Sequence, residues 1–97
     1  MSDSTDTTQQ KIEFIVDKCT DILCSEAIRE VRHYLDQGEL EIAFEGLFLE
    51  LIQVGRIPES IDKVSCVQLA KYFHLDVESV LDDNFWVKLT HFLNQNN

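Results

Sequence analysis

The stretch that decides the fold is residues 34–55, "YLDQGELEIAFEGLFLELIQVG". Leu40, Ile42, Ala43, Phe44, Leu47, Phe48, Leu49, Leu51, Ile52 and Val54 within it are apolar, more positions than one buried helix face needs. Glu39, Glu41, Glu45 and Glu50 are threaded among them, and Gly46 sits in the middle. The spacing predicts a helix over residues 39–54. On a wheel of about 100° per residue, one arc collects Leu40, Ala43, Phe44, Leu47, Leu51 and Val54, a full core face extended by Phe48 and Ile52. The other side holds Glu39, Glu41, Ile42, Glu45, Gly46, Leu49 and Glu50. Two accounts fit. In one the helix is central, touched by neighbours on several sides, with Gly46 allowing a close approach. In the other Ile42 and Leu49 lie among carboxylates on an exposed face ready for a partner. Glu41 and Glu45 must reach water or a cation, because a buried unpaired carboxylate is costly.

Outward from this helix the chain continues in the same style. Residues 1–8, "MSDSTDTT", are polar and are expected to be a disordered tail. A first helix is expected over residues 9–23, with Ile12, Ile15, Val16, Cys19, Ile22 and Leu23 in one arc. Ser25 looks like the N-cap of a second helix reaching Gln37, with Ala27, Ile28, Val31, Tyr34 and Leu35 inward and Gly38 as its stop. Pro58 opens a short helical turn over residues 59–62. Ser65 is expected to cap a fourth helix, Asp76 a short turn carrying Val77, Val80 and Leu81, and residues 84–94 form a last helix burying Phe85, Trp86, Leu89, Phe92 and Leu93. No stretch alternates as a strand does. The fold expected is all-α, a compact bundle of about five helices, with residues 9–97 as a single domain.

Composition narrows the function. Eighteen acidic against eight basic residues give a formal net charge of −10. That opposes binding to nucleic-acid phosphates and to anionic membrane surfaces, and leaves a basic protein partner or solubility as its use. No apolar run reaches the roughly 18 residues of a membrane span, and the N-terminus lacks the basic and apolar regions of a signal peptide; a cytoplasmic protein is expected. Cys19, Cys24 and Cys66 are odd in number and lack zinc-site spacing, so they read as buried reduced thiols with no metal or cofactor.

Catalysis finds no motif. There is no G-x-S-x-G, phosphate-binding glycine loop, H-E-x-x-H or Cys/His pair, and abundant carboxylates do not by themselves make an acid–base site. No enzyme activity and no small-molecule substrate are expected. Residues 65–83, "SCVQLAKYFHLDVESVLDD", imitate a helix-turn-helix, with a turn at His74–Asp76 and a second helix from Val77. A DNA reader brings Arg, Lys, Asn or Gln to base edges there; this segment would bring Asp76, Glu78, Asp82 and Asp83. It reads as a helical hairpin used for packing.

The run "EAIREVRHYLDQGELEIAFEGLFLEL" followed by "SCVQLAKYFHLD" resembles the small immunity proteins of bacterial polymorphic toxin systems, in particular the MafI-like family and the immunity partners of contact-dependent growth inhibition toxins. The resemblance is carried by Tyr34, Leu35, Asp36, Gly38 and Glu39, then by Glu41, Ala43, Glu45 and Leu47, and downstream by Leu69, Ala70, Leu75 and Asp76. It spans about residues 24–76 and leaves "FWVKLTHFLNQNN" unmatched. It implies a cytosolic antitoxin that neutralises the C-terminal domain of a cognate toxin, often a nuclease with a basic cleft, in a tight 1:1 complex. On that implication Asp36, Glu39, Glu41 and Glu45 meet Lys or Arg, Ile42 or Leu49 supplies an apolar anchor, and Asp82 and Asp83 form a second acidic patch able to serve instead. The alternatives are a helix-turn-helix regulator and an acidic helical adaptor.

Overall fold

The computed structural model describes residues 4–95. They form five helices, α1 (Ser4–Lys18), α2 (Ser25–Asp36), α3 (Leu40–Val54), α4 (Lys63–Tyr72) and α5 (Phe85–Gln95), with no strand among the described residues. The expected all-α bundle is what the chain adopts.

The helix rich in apolar residues is the central one. α3 packs against α1, α2 and α5, while α4 lies on α5. A helix touched on several sides needs apolar residues around most of its circumference, and α3 buries Leu40, Ala43, Phe44, Leu47, Phe48 and Leu51. Phe44 is the hub of an aromatic cluster, its ring centroid 4.7 Å from that of Phe48, 5.8 Å from Phe73 and 6.4 Å from Phe85. Such tilted and edge-on pairs add about 0.5–1.5 kcal/mol each beyond area burial. Val54, placed on the core face by periodicity, is exposed, since α3 ends there at Gly55, whose φ of +83° is left-handed.

Two helices leave the bundle by the same device. At the end of α2, Gly38 takes φ +76°, its N–H donates to the Leu35 carbonyl (3.1 Å), and the Glu39 N–H donates to Tyr34 (2.9 Å). At the end of α4, His74 takes φ +62°, its N–H donates to Lys71 (2.9 Å), and the Leu75 N–H donates to Ala70 (2.9 Å). Both are Schellman motifs, in which a left-handed residue turns the chain so that otherwise orphaned carbonyls are satisfied.

Several local expectations are corrected. Helix α1 begins at Ser4, so residues 4–8 are helical and Thr8 is buried; residues 1–3 of the expected tail lie outside the described residues. α1 also ends at Lys18, and residues 19–23 form turns that still bury Cys19 and Leu23. Ser25 is the first residue of α2, and Cys24, with no side-chain cap bond, holds the cap position. α4 is capped by Asp62 rather than Ser65: the Asp62 carboxylate accepts from the Val64 N–H (3.3 Å) and the Ser65 hydroxyl (2.9 Å). The short turn expected after Pro58 is present as a single hydrogen-bonded turn at residues 59–60, closed by the Ile61 N–H on the Pro58 carbonyl (3.1 Å), and does not extend as helix to Asp62. Trp86 is only half-buried.

The helical hairpin expected over residues 65–83 does not form. Its first arm is α4, but residues 77–84 contain no helix. A helix there would need a stripe of buried apolar side chains, and Val77, Val80 and Leu81 face solvent instead.

Of the cysteines, Cys19 and Cys66 are buried, whereas Cys24 is exposed, against the expectation for all three. Burial pushes the Cys19 thiol up to about 11. Burial, then the nearby Asp62 and Cys19, pushes Cys66 to about 12.

Candidate functional site

The site begins with a carboxylate in an unexpected place. Glu45 lies in the middle of α3 with no exposed surface, so it is not on the outer acidic edge where the sequence reading put it. Its carboxylate accepts three backbone hydrogen bonds from the loop between α4 and α5: from Val80 (2.8 Å), Leu81 (2.9 Å) and Asp82 (2.8 Å). Buried carboxylates are rare unless paired or hydrogen-bonded, and successive amides offered to one anion make a small concave nest for it. Glu45 gains donors that replace water, and the loop gains acceptors for amides that no helix or sheet satisfies.

The rest of the loop is tied down around this point. The Ser79 hydroxyl donates to the Asp82 carbonyl. One Asp82 oxygen accepts from the Asn84 N–H at 2.8 Å and the other pairs with the Lys88 ammonium. Lys88, and then the Asn84 amide, hold the Asp82 carboxyl below its usual value of 3.8. The Phe85 N–H donates to the Asp82 carbonyl (2.9 Å), so the loop runs into α5 without slack.

What this backbone presents is apolar. Val77 is 82% exposed, and Val80 and Leu81 are each 50% exposed. Asp76, Glu78 and Asp83, interleaved with them along the loop, are exposed and form no ion pair among the described residues. Leu81 also lines a shallow groove with Glu30, Tyr34, Gly46, Leu49 and Glu50. A Cβ at Gly46 would stand 3.8 Å from the Leu81 side chain, so what approaches the central helix at its glycine is this loop.

The two acidic patches proposed from the sequence are therefore joined at one point. Glu45, read as part of the first, holds the backbone of Asp82, read as part of the second. Leu49 is half-buried, packed against the core, and shares the groove with Leu81. Asp83 is exposed. Asp36 and Glu39 are exposed at the α2–α3 turn, and Glu41 and Ile42 are half-buried on the first turn of α3. That turn begins about 9 Å along the helix axis from Gly46, at about 1.5 Å per residue. The residues that sequence reasoning missed are Val77, Val80 and Leu81, taken there as packing positions. Their i, i+3, i+4 spacing imitates a helix face, and the signal against that reading was the four carboxylates of Asp76, Glu78, Asp82 and Asp83 set among them.

Among the described residues no cluster of three or more His, Cys, Asp or Glu is arranged to hold a metal ion, and no helix is long and apolar enough to cross a membrane. The fold and site define a small all-α domain that displays a pinned, acid-rimmed apolar loop. No family model matches the sequence, and no curated protein or solved structure is significantly similar to it.

Proposed function

We propose that this chain is an immunity protein, a non-enzymatic antitoxin that binds and neutralises the C-terminal domain of a cognate toxin of the contact-dependent growth inhibition or related polymorphic type. The toxin domain is taken to be a basic nuclease, bound 1:1 in the cytoplasm. The observation that carries the reading is a loop whose exposed apolar residues Val77, Val80 and Leu81 alternate with exposed carboxylates, on a protein of net charge −10. Large exposed apolar patches on small proteins mark interaction sites, and a rim of one charge sign selects a partner of the other and speeds encounter. The sequence resemblance to MafI-like immunity proteins supports the same reading.

A helix-turn-helix regulator finds no support in the geometry, because residues 77–84 lack the second helix and carry acid in its place. An acidic adaptor shares the surface but not the toxin.

The test is to co-express the chain with the tagged C-terminal domain encoded immediately upstream of its gene. A stoichiometric complex in which the domain's nuclease activity is silenced is expected. Absence of a complex together with undiminished toxicity would overturn the immunity reading in favour of the adaptor.

A further inference from the structure

A buried carboxylate is an unusual device for holding a surface loop. Three amides converge on Glu45, the Ser79 hydroxyl closes on Asp82, and Asp82 is fastened to Asn84 and Lys88. These bonds fix the backbone of Val80 and Leu81, whose side chains are each half exposed, while the Val77 N–H just before them is held by the His74 carbonyl (3.1 Å). The half of each Val80 and Leu81 side chain left in water, and most of Val77, contributes no burial to the free protein. Holding it still gains in association, because anchors fixed beforehand do not have to be ordered on binding.

We infer that residues 76–83, together with the groove beside Leu81, form the anchor surface of this protein. Its occupant is a basic protein segment that brings an apolar side chain against Val77, Val80 and Leu81 and cations against Asp76, Glu78 and Asp83. Charge decides the occupant. A second copy of the chain would set the same carboxylate rim against itself on a protein of net charge −10, and like charges across an interface are costly. Nucleic acid and anionic lipid are repelled for the same reason. A basic segment meets complementary charge at the rim and apolar surface at the centre, the usual anatomy of a protein interface. The α2–α3 turn, with Asp36 and Glu39, offers charge without exposed apolar anchors, and so contributes to steering more than to holding.

This deepens the proposed function and rests on it only in taking the partner to be basic. The full chain, labelled with nitrogen-15, is titrated with a short amphipathic peptide of lysine and leucine, and in parallel with its glutamate–leucine counterpart. Amide shifts confined to residues 76–83 and the groove around Tyr34 and Leu49 are expected with the basic peptide only, weakening as salt is raised. Val80→Ser with Leu81→Ser should weaken binding about tenfold or more, as loss of central anchors does. Val77→Ser, at a side chain with little to lose in the fold, should weaken it in the same direction. Phe14→Ser and Val64→Ser, at exposed apolar positions elsewhere, should leave binding unchanged.

Shifts centred elsewhere, equal loss in the Phe14 and Val64 variants, or a concentration-dependent dimer that uses the loop without peptide would each overturn the inference. The same variants separate it from the immunity reading. A toxin complex that tolerates Val80→Ser with Leu81→Ser refutes the surface alone. Peptide binding at the loop without any toxin complex refutes the immunity role alone.

Discussion

The connections after α2 and after α4 start alike and end differently. Both leave their helix through a left-handed residue with the same pair of hydrogen bonds. After Gly38 the chain enters α3 within two residues, whereas after His74 it runs ten residues before α5. The first connection is complete in itself, with a conformation set by a glycine and two local bonds. The second depends on a side chain 35 residues away from the nearest amide it holds. Short turns are specified by local chemistry, and long ones need something from the core to hold them.

The comparison breaks hardest at Glu45. Glu45→Ala deprives the amides of Val80, Leu81 and Asp82 of their acceptor, and unsatisfied buried groups cost about 1–3 kcal/mol each. The expected loss is about 3 kcal/mol or more, read as a lower urea midpoint, with fast amide exchange at residues 80–82 and no comparable change at the α2–α3 turn.

Next comes Gly38→Ala. A Cβ there meets nothing within 4 Å, so the cost is purely that of forcing alanine into a left-handed backbone, about 1–2 kcal/mol. Thermal unfolding should report it, with the loop after α4 undisturbed. His74→Gly should do the reverse. Removing the side chain from a left-handed position relieves strain, partly offset by the entropy of a new glycine, for a gain of about 0.5–1 kcal/mol. A loss of stability instead would mean that His74 makes a contact outweighing its strain.

The smallest effect is at Asp82, whose partners Lys88 and Asn84 depress its carboxyl. A depressed carboxyl contributes stability that is present above its ordinary value of 3.8 and is lost as pH falls through the folded-state value. Asp82→Asn should therefore lower stability slightly at neutral pH, with the difference from the parent chain closing as pH falls through the acid limb, followed by circular dichroism.

Most of the bundle was legible for reasons these two connections make plain. The apolar circumference of α3 announced a central helix, and Gly38 announced a stop, because periodicity and glycine chemistry act over a few residues. His74 announced nothing, since histidine is not the residue a left-handed stop usually takes. Residues 4–8 carry no apolar period, so the start of α1 stayed hidden although Thr8 is buried. Glu45 was the deepest miss for the site. A carboxylate in a sequence is read outward because such groups are almost never buried, and the amides that overturn that rule belong to a segment far along the chain. Val80 and Leu81 were hidden by the same long-range link: their exposure follows from where their backbone is fastened.

The three thiols give the protein a built-in clock of its own opening. Cys24, exposed before α2, should react with an alkylating reagent in the folded state, whereas Cys19 after α1 and Cys66 in α4 are buried with thiols raised to about 11 and about 12. The nucleophile is the thiolate, so both are shielded by position and by proton at once. Mass spectrometry over time should show one label added quickly and two more arriving only as the molecule opens. If the tags at Cys19 and Cys66 appear together, α1 and α4 part from the core in a single step; if one precedes the other, the order in which the bundle comes undone is written in the masses.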